Sequence, residues 1–129
     1  MKKTSIRKKA KKHTNAWYRA ECVKIAKRLA LERDGYTCQR CGLNKFIDNI
    51  AMHGSHVFPE GTYHGLSANI DNIKALCYRD HFLWWHKHPT EAGEWFASTF
   101  PERYAKLKVL SRKTIQIDWK SEFEKMKLL

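Results

Sequence analysis

The chain has 129 residues with 43% hydrophobic content, which suits one compact domain with a modest core and leaves no room for two substantial ones. With 25 Lys and Arg against 13 Asp and Glu, the formal charge is +12, so the natural partner is a polyanion and not a neutral small molecule: nucleic acid leads, an anionic membrane follows. No apolar run approaches the roughly 18 to 20 residues of a spanning helix, and no apolar segment follows the N-terminal lysines, so neither a membrane anchor nor a signal peptide is expected. The expectation is a soluble cytoplasmic protein with reduced thiols, where 4 cysteines read as metal ligands before disulfides.

Residues 1–14 form a basic arm. Lys2, Lys3, Arg7, Lys8, Lys9, Lys11 and Lys12 occur there without an acid, a charge run that reads as an arm along a phosphate backbone. From Asn15, expected as N-cap, to Arg33 the apolar residues Tyr18, Cys22, Ile25 and Leu29 recur at helical spacing, with Trp17 and Ala26 flanking them. Cys22 lies on that stripe and reads as a small core side chain. Asp34-Gly35 ends the helix, and Tyr36 to Gly42 make a tight turn carrying Cys38 and Cys41.

Residues 46–58, with His53 and His56, suit a short strand or hairpin arm, and Gly54, Pro59, Gly61 and Gly65 then punctuate a loop. An apolar run from Ile70 to Leu76 delivers the chain to Cys77, and Asp80 to His86 reads as a helix. Pro89 closes that helix or opens the next. Further helices are expected over 91–99, from Pro101 through Leu110, and over 118–128, with Trp95, Phe96, Phe100, Trp119, Phe123 and Met126 as core. The fold class is α+β: one domain over 15–129, with a core at 33–90 and a helical extension at 91–129.

Cys38 and Cys41 stand at a spacing that lets both sulfurs reach one tetrahedral ion, and Cys77 follows 36 residues later, a pattern for structural zinc. The fourth ligand is Asp80 or His81, and softness alone favours His81. His56, Asn72, His81 and His86 complete a set suited to phosphodiester hydrolysis. An imidazole can take a proton from water at neutral pH, an amide can fix its surroundings, and a metal-bound group can steady the leaving oxygen. His13, His64 and His88 read as bystanders.

The ordered blocks Arg33 to Gly42, Ser55-His56-Val57-Phe58-Pro59 and Asn72 to His81 resemble those of HNH endonucleases, which have a ββα-metal (His-Me finger) fold with a structural zinc. The segments Trp84 to Pro89, Glu91 to Phe96 and Pro101 to Tyr104 are further similar to phage-encoded HNH proteins grouped with recombination nucleases that cut branched DNA. The resemblance implies His56 as general base, Asn72 as the central asparagine that supports the loop and orients His56, and His81 as a ligand of a catalytic Mg²⁺ or Mn²⁺. His86 would be an auxiliary ligand or phosphate contact. Keeping the family register makes Asp80 the fourth zinc ligand, where the family usually has a cysteine. Ser55 stands where the family often has a metal-binding Asp. The implied partner is DNA, the compartment the host cytoplasm if phage-encoded, and a homodimer would be needed to cut two strands symmetrically.

Overall fold

Thr14, not Asn15, starts the first helix: its hydroxyl accepts the Trp17 N–H at 3.1 Å. The computed structural model describes residues 12–129, so Lys2, Lys3, Arg7, Lys8, Lys9 and Lys11 lie outside the described residues, and Lys12 is exposed at their edge. Helix α1 (Asn15–Arg33) buries Cys22, Val23, Ala26 and Ala30, while Tyr18 and Ile25 pack half-buried on that line. The expected stripe through Leu29 is therefore rotated toward the smaller side chains. Those small side chains meet the large Ile73, Trp119 and Met126, and a Cβ on Gly54 would lie 2.8 Å and 2.9 Å from side-chain carbons of Lys27, so the helix also sits close over Gly54.

The end of α1 is tied to the sheet by side chains. The Asp34 carboxylate accepts the Ala75 N–H at 2.9 Å, and Arg33 donates to the carbonyls of Ile70 and Ile73. Gly35 and Gly42 turn the chain with positive φ, which places Cys38 and Cys41 on one tight loop.

Strand β1 (Met52–His56) pairs antiparallel with β2 (Ile73–Cys77) in the register Met52↔Cys77, His53↔Leu76, Ser55↔Lys74 and His56↔Ile73. The strand is thus shorter than the expected 46–58. The apolar run beginning at Ile70 first makes a single 3₁₀ turn, because the Asn69 side chain accepts the Asp71 N–H.

Helix α2 (Arg79–Trp85) follows β2 directly and is wound in the wide π form, with His86 N–H reaching the His81 carbonyl at 3.1 Å. Pro89 and Pro101 each open a helix, α3 (Pro89–Thr99) and α4 (Pro101–Ser111), where the missing N–H costs nothing. Helix α5 (Trp119–Met126) lays Trp119 and Met126 against Cys22, Ala26, Ala30 and Ile73. A second cluster, Cys38, Met52, Ala75, Leu76 and Cys77, packs against Trp85 and Trp95. The architecture is α+β, helices around a two-stranded sheet. Among the described residues no helix is long and apolar enough to cross a membrane.

Candidate functional site

Four potential metal ligands converge from three local structures: Cys38 and Cys41 from the tight loop, Cys77 from the end of β2, and Asp80 from the first turn of α2. Their ligand atoms all lie within 4.8 Å of one another. Asp80 Oδ2 is 3.2 Å from Cys38 Sγ and 3.4 Å from Cys77 Sγ, and Cys41 Sγ is 3.8 Å from Cys77 Sγ. A tetrahedral ion with bonds of about 2.3 Å to sulfur and about 2.0 to 2.2 Å to oxygen would hold its sulfurs ~3.8 Å apart and each sulfur ~3.5 Å from the oxygen. The group therefore fits a zinc-sized ion.

The outer oxygen of Asp80, Oδ1, accepts Arg40 Nη1 at 2.8 Å, and the Arg40 guanidinium rests 3.8 Å over the Trp84 ring. Such an outer partner fixes the carboxylate's orientation toward an ion. Of the two expected fourth ligands, Asp80 is in the group and His81 is not. Burial pushes the Cys38 thiol up to about 12 and raises Cys77 as well. Burial also pushes the Asp80 carboxyl up, but hydrogen bonds from Cys38, Arg40, Cys41 and Cys77 outweigh it and leave the group below the usual carboxylate range. A cation entering here displaces thiol protons. The fourth cysteine, Cys22, is buried against the Trp119 carbonyl, and burial pushes it up to about 11, so it stays a thiol.

A cavity of about 620 Å³ is lined by His56 from the end of β1, His81, Trp85 and His86 from α2 and the residue after it, Lys27 from α1 and Tyr104 from α4. His56 Nε2 lies 2.7 Å from the Ser67 carbonyl. A carbonyl only accepts, so Nε2 carries the proton in the neutral ring and Nδ1 is the basic nitrogen. Burial lowers the pKa of His56, the Ser67 bond and Glu60 partly offset this, and Lys27 and Lys74 lower it further. The ring is therefore neutral at pH 7 and able to take a proton.

Asn72 stands behind the cavity, wholly buried. Its side chain accepts the Phe58 N–H at 2.8 Å and donates to the carbonyls of Phe58 at 3.0 Å and Leu66 at 3.1 Å, and its own carbonyl accepts the Val57 N–H. It clasps the loop that leaves His56. His86 is exposed, its ring centroid 4.7 Å from that of His81. His13, His64 and His88 are exposed and do not line the cavity.

Three residues not singled out from the sequence belong to this region. Lys27 enters the cavity from α1. His53 Nδ1 lies 3.1 Å from His81 Nδ1; burial lowers both imidazoles, His81 to about 4 with neighbouring His86, His53, Lys74 and Lys27 adding to the effect. Lys74 is wholly buried, its Nζ donating to Ser55 Oγ at 2.8 Å and to the His56 carbonyl at 3.0 Å, and lying 3.0 Å from the centroid of the Trp85 ring. Burial drives its amine well below the ordinary lysine value, and Arg103 adds to the shift. Ser55 is consequently sealed away, its hydroxyl engaged. A lysine inside the apolar run Ile73 to Cys77 was the signal available for Lys74. The pairings of His53 and Lys74 emerge only from the strand register and the seating of α2.

Chemically, the cavity joins a neutral, proton-fixed imidazole to further nitrogen donors and a lysine, an arrangement suited to an anionic substrate. Comparison with protein-family models, with curated proteins and with solved structures finds no match for this chain.

Proposed function

We propose that this chain is a metal-dependent DNA endonuclease of the HNH type, with zinc as the structural ion held by Cys38, Cys41, Cys77 and Asp80. The observation that carries the reading is His56, with its Nε2 proton directed to the Ser67 carbonyl, sharing one cavity with His86 and with His81, the residue that follows Asp80 of the Cys₃Asp group. The order β1, β2, α2, tied at one end by that group, supports a ββα-metal core.

In this reading His56 Nδ1 takes a proton from a water molecule as the water attacks the scissile phosphorus in line. The 3′ oxygen leaves and a 5′-phosphate remains. Asn72 keeps the loop after β1, and so His56, in place. His81, with His86 beside it, would hold a divalent ion, Mg²⁺ or Mn²⁺ by the resemblance, and the ion would supply charge stabilisation at the leaving oxygen. Lys27 and the basic arm meet flanking phosphates, and the resemblance to phage proteins points to branched or recombination-intermediate DNA as the substrate class.

Nicking of supercoiled plasmid with Mg²⁺ or Mn²⁺ tests this. His56→Ala should lose roughly 10²- to 10⁴-fold in cleavage rate, the scale of a lost general base, with zinc content and DNA affinity unchanged. One observation favours a second reading, a non-catalytic zinc module for DNA binding or assembly: Ser55, where the family often has an Asp, is buried and engaged by Lys74. A wild-type protein that binds DNA yet cuts no linear, nicked or branched substrate with any divalent ion would establish that second reading.

A further inference from the structure

We propose that His53 and His81 form a two-imidazole site for a transition-metal ion of the Ni²⁺, Co²⁺ or Zn²⁺ kind, bridging β1 to α2 at the edge of the cavity. The inference rests on the nuclease reading for the use of the ion, and on geometry for its place. Side chains two apart on a strand share a face, so His53 and Ser55 project to the same side of β1. Ser55 cannot serve a cation there, because its hydroxyl already accepts from the Lys74 amine. His53 sits two residues back along the strand, opposite Leu76, which offers no competing donor.

Two imidazole nitrogens bound to one ion at about 2.0 to 2.1 Å, at angles between octahedral and tetrahedral, stand ~2.9 to 3.4 Å apart. The His53 and His81 Nδ1 atoms stand 3.1 Å apart. Water and a phosphate oxygen would fill the ion's other positions.

The donor set decides the kind of ion. Among the described residues lining the cavity the one carboxylate is Glu60, whose Oε2 lies 3.9 Å from His56 Nε2. Mg²⁺ prefers carboxylate and water oxygen, whereas imidazole nitrogens suit Ni²⁺, Co²⁺ and Zn²⁺, so one of these would serve the nuclease reading in place of the Mg²⁺ or Mn²⁺ that the resemblance implies. The rings of Tyr78 and Phe82 flank His53 and give it an apolar surround. The rival account of the short contact is a plain N–H···N hydrogen bond between two neutral rings, with no ion taken up there.

Calorimetric titration of untagged, zinc-loaded full chain with Ni²⁺, and separately with Mg²⁺, separates the two. One further equivalent of Ni²⁺ should bind, at least about tenfold more weakly in His53→Ala and in His81→Ala, and unchanged in His56→Ala. Mg²⁺ should not compete at equal concentration. His53→Asp keeps a donor in place and should shift preference from Ni²⁺ toward Mg²⁺, which guards against reading a misfolded alanine variant as a lost ligand. No further equivalent, or an affinity unmoved by His53→Ala in folded protein, overturns the site and leaves the hydrogen bond. A chain that binds Ni²⁺ through both histidines and cuts no DNA retains the site and removes the nuclease reading. A chain that cuts DNA while His53→Ala leaves Ni²⁺ affinity unmoved does the reverse.

Discussion

Lys74 and Asp80 are both wholly buried, one within β2 and the other at the start of α2, yet the protein accommodates their charges in opposite ways. Asp80 has an opposite charge: one oxygen accepts from Arg40, and the other faces sulfurs that a cation would gather. Lys74 has no carboxylate partner among the described residues. A hydroxyl, a carbonyl and the face of Trp85 surround its amine, and burial lowers its pKa accordingly. Isolated buried charge is costly, and the usual escape is neutralisation. The Asp80 end thus offers a ligand group that an ion could complete, while the surroundings of Lys74 offer none.

The largest expected effect is at the Asp80 end. Binding free energies of structural zinc, about 10 to 16 kcal/mol in finger peptides, match or exceed the ~5 to 15 kcal/mol of a whole small domain. Chelation should therefore unfold the protein, followed by far-UV circular dichroism alongside metal analysis, with about one zinc per chain at the start. Asp80→Ala should weaken zinc retention far more than His81→Ala. The reverse order would put His81 in the zinc site and dissolve the contrast with Lys74.

Next in size is the Lys74 side. Lys74→Met removes the cost of burying the amine but leaves the Ser55 hydroxyl and the His56 carbonyl without their donor, so it should move the unfolding midpoint of zinc-loaded protein far less than Asp80→Ala does. Ser55→Ala keeps the amine and removes an acceptor, and should cost about 1 to 3 kcal/mol by urea unfolding. A Lys74→Met variant as damaging as Asp80→Ala would mean the two buried charges are alike after all.

The contrast is only half legible in the sequence, for reasons of range. Cys38 and Cys41, three residues apart, and Cys77 and Asp80, likewise, are read from local spacing, because a turn of fixed length decides whether their ligand atoms can meet. Helix α1 is legible as a helix from periodicity, but its buried line is not, because Ala26 and Ala30 pack against the distant Ile73, Trp119 and Met126. The pairs Ser55–Lys74 and His53–His81 depend on which residue of β2 faces which residue of β1, and on how the π-wound α2 is seated. Neither the register across residues 57–72 nor a π winding leaves a local pattern. Asn72, expected to support the loop and orient His56, bonds to Phe58 and Leu66 and not to His56 itself, a detail of loop packing that no spacing encodes.

The smallest expected effect tests whether the charges on the two sides reach His56. Burial sets its folded pKa below the unfolded histidine value of roughly 6.5. The neutral base is then fully present at pH 7, and the acid limb of kcat/KM for DNA cleavage should fall below pH 6.5, as pH drops through the lowered value. Stability follows the same sign: below pH 6.5 the unfolded state takes up a proton that the folded state refuses, so this contribution is present above 6.5 and is lost as pH falls, levelling off once the folded ring protonates. Glu60 holds the pKa up and Lys27 holds it down, so Glu60→Gln should move the acid limb to lower pH and Lys27→Met to higher pH. Both shifts should be small, because the Glu60 carboxylate is half exposed and water screens it. If Lys27→Met left the limb where it was while Lys74→Met moved it upward, the buried amine of β2 would be the cation that sets the basicity of His56.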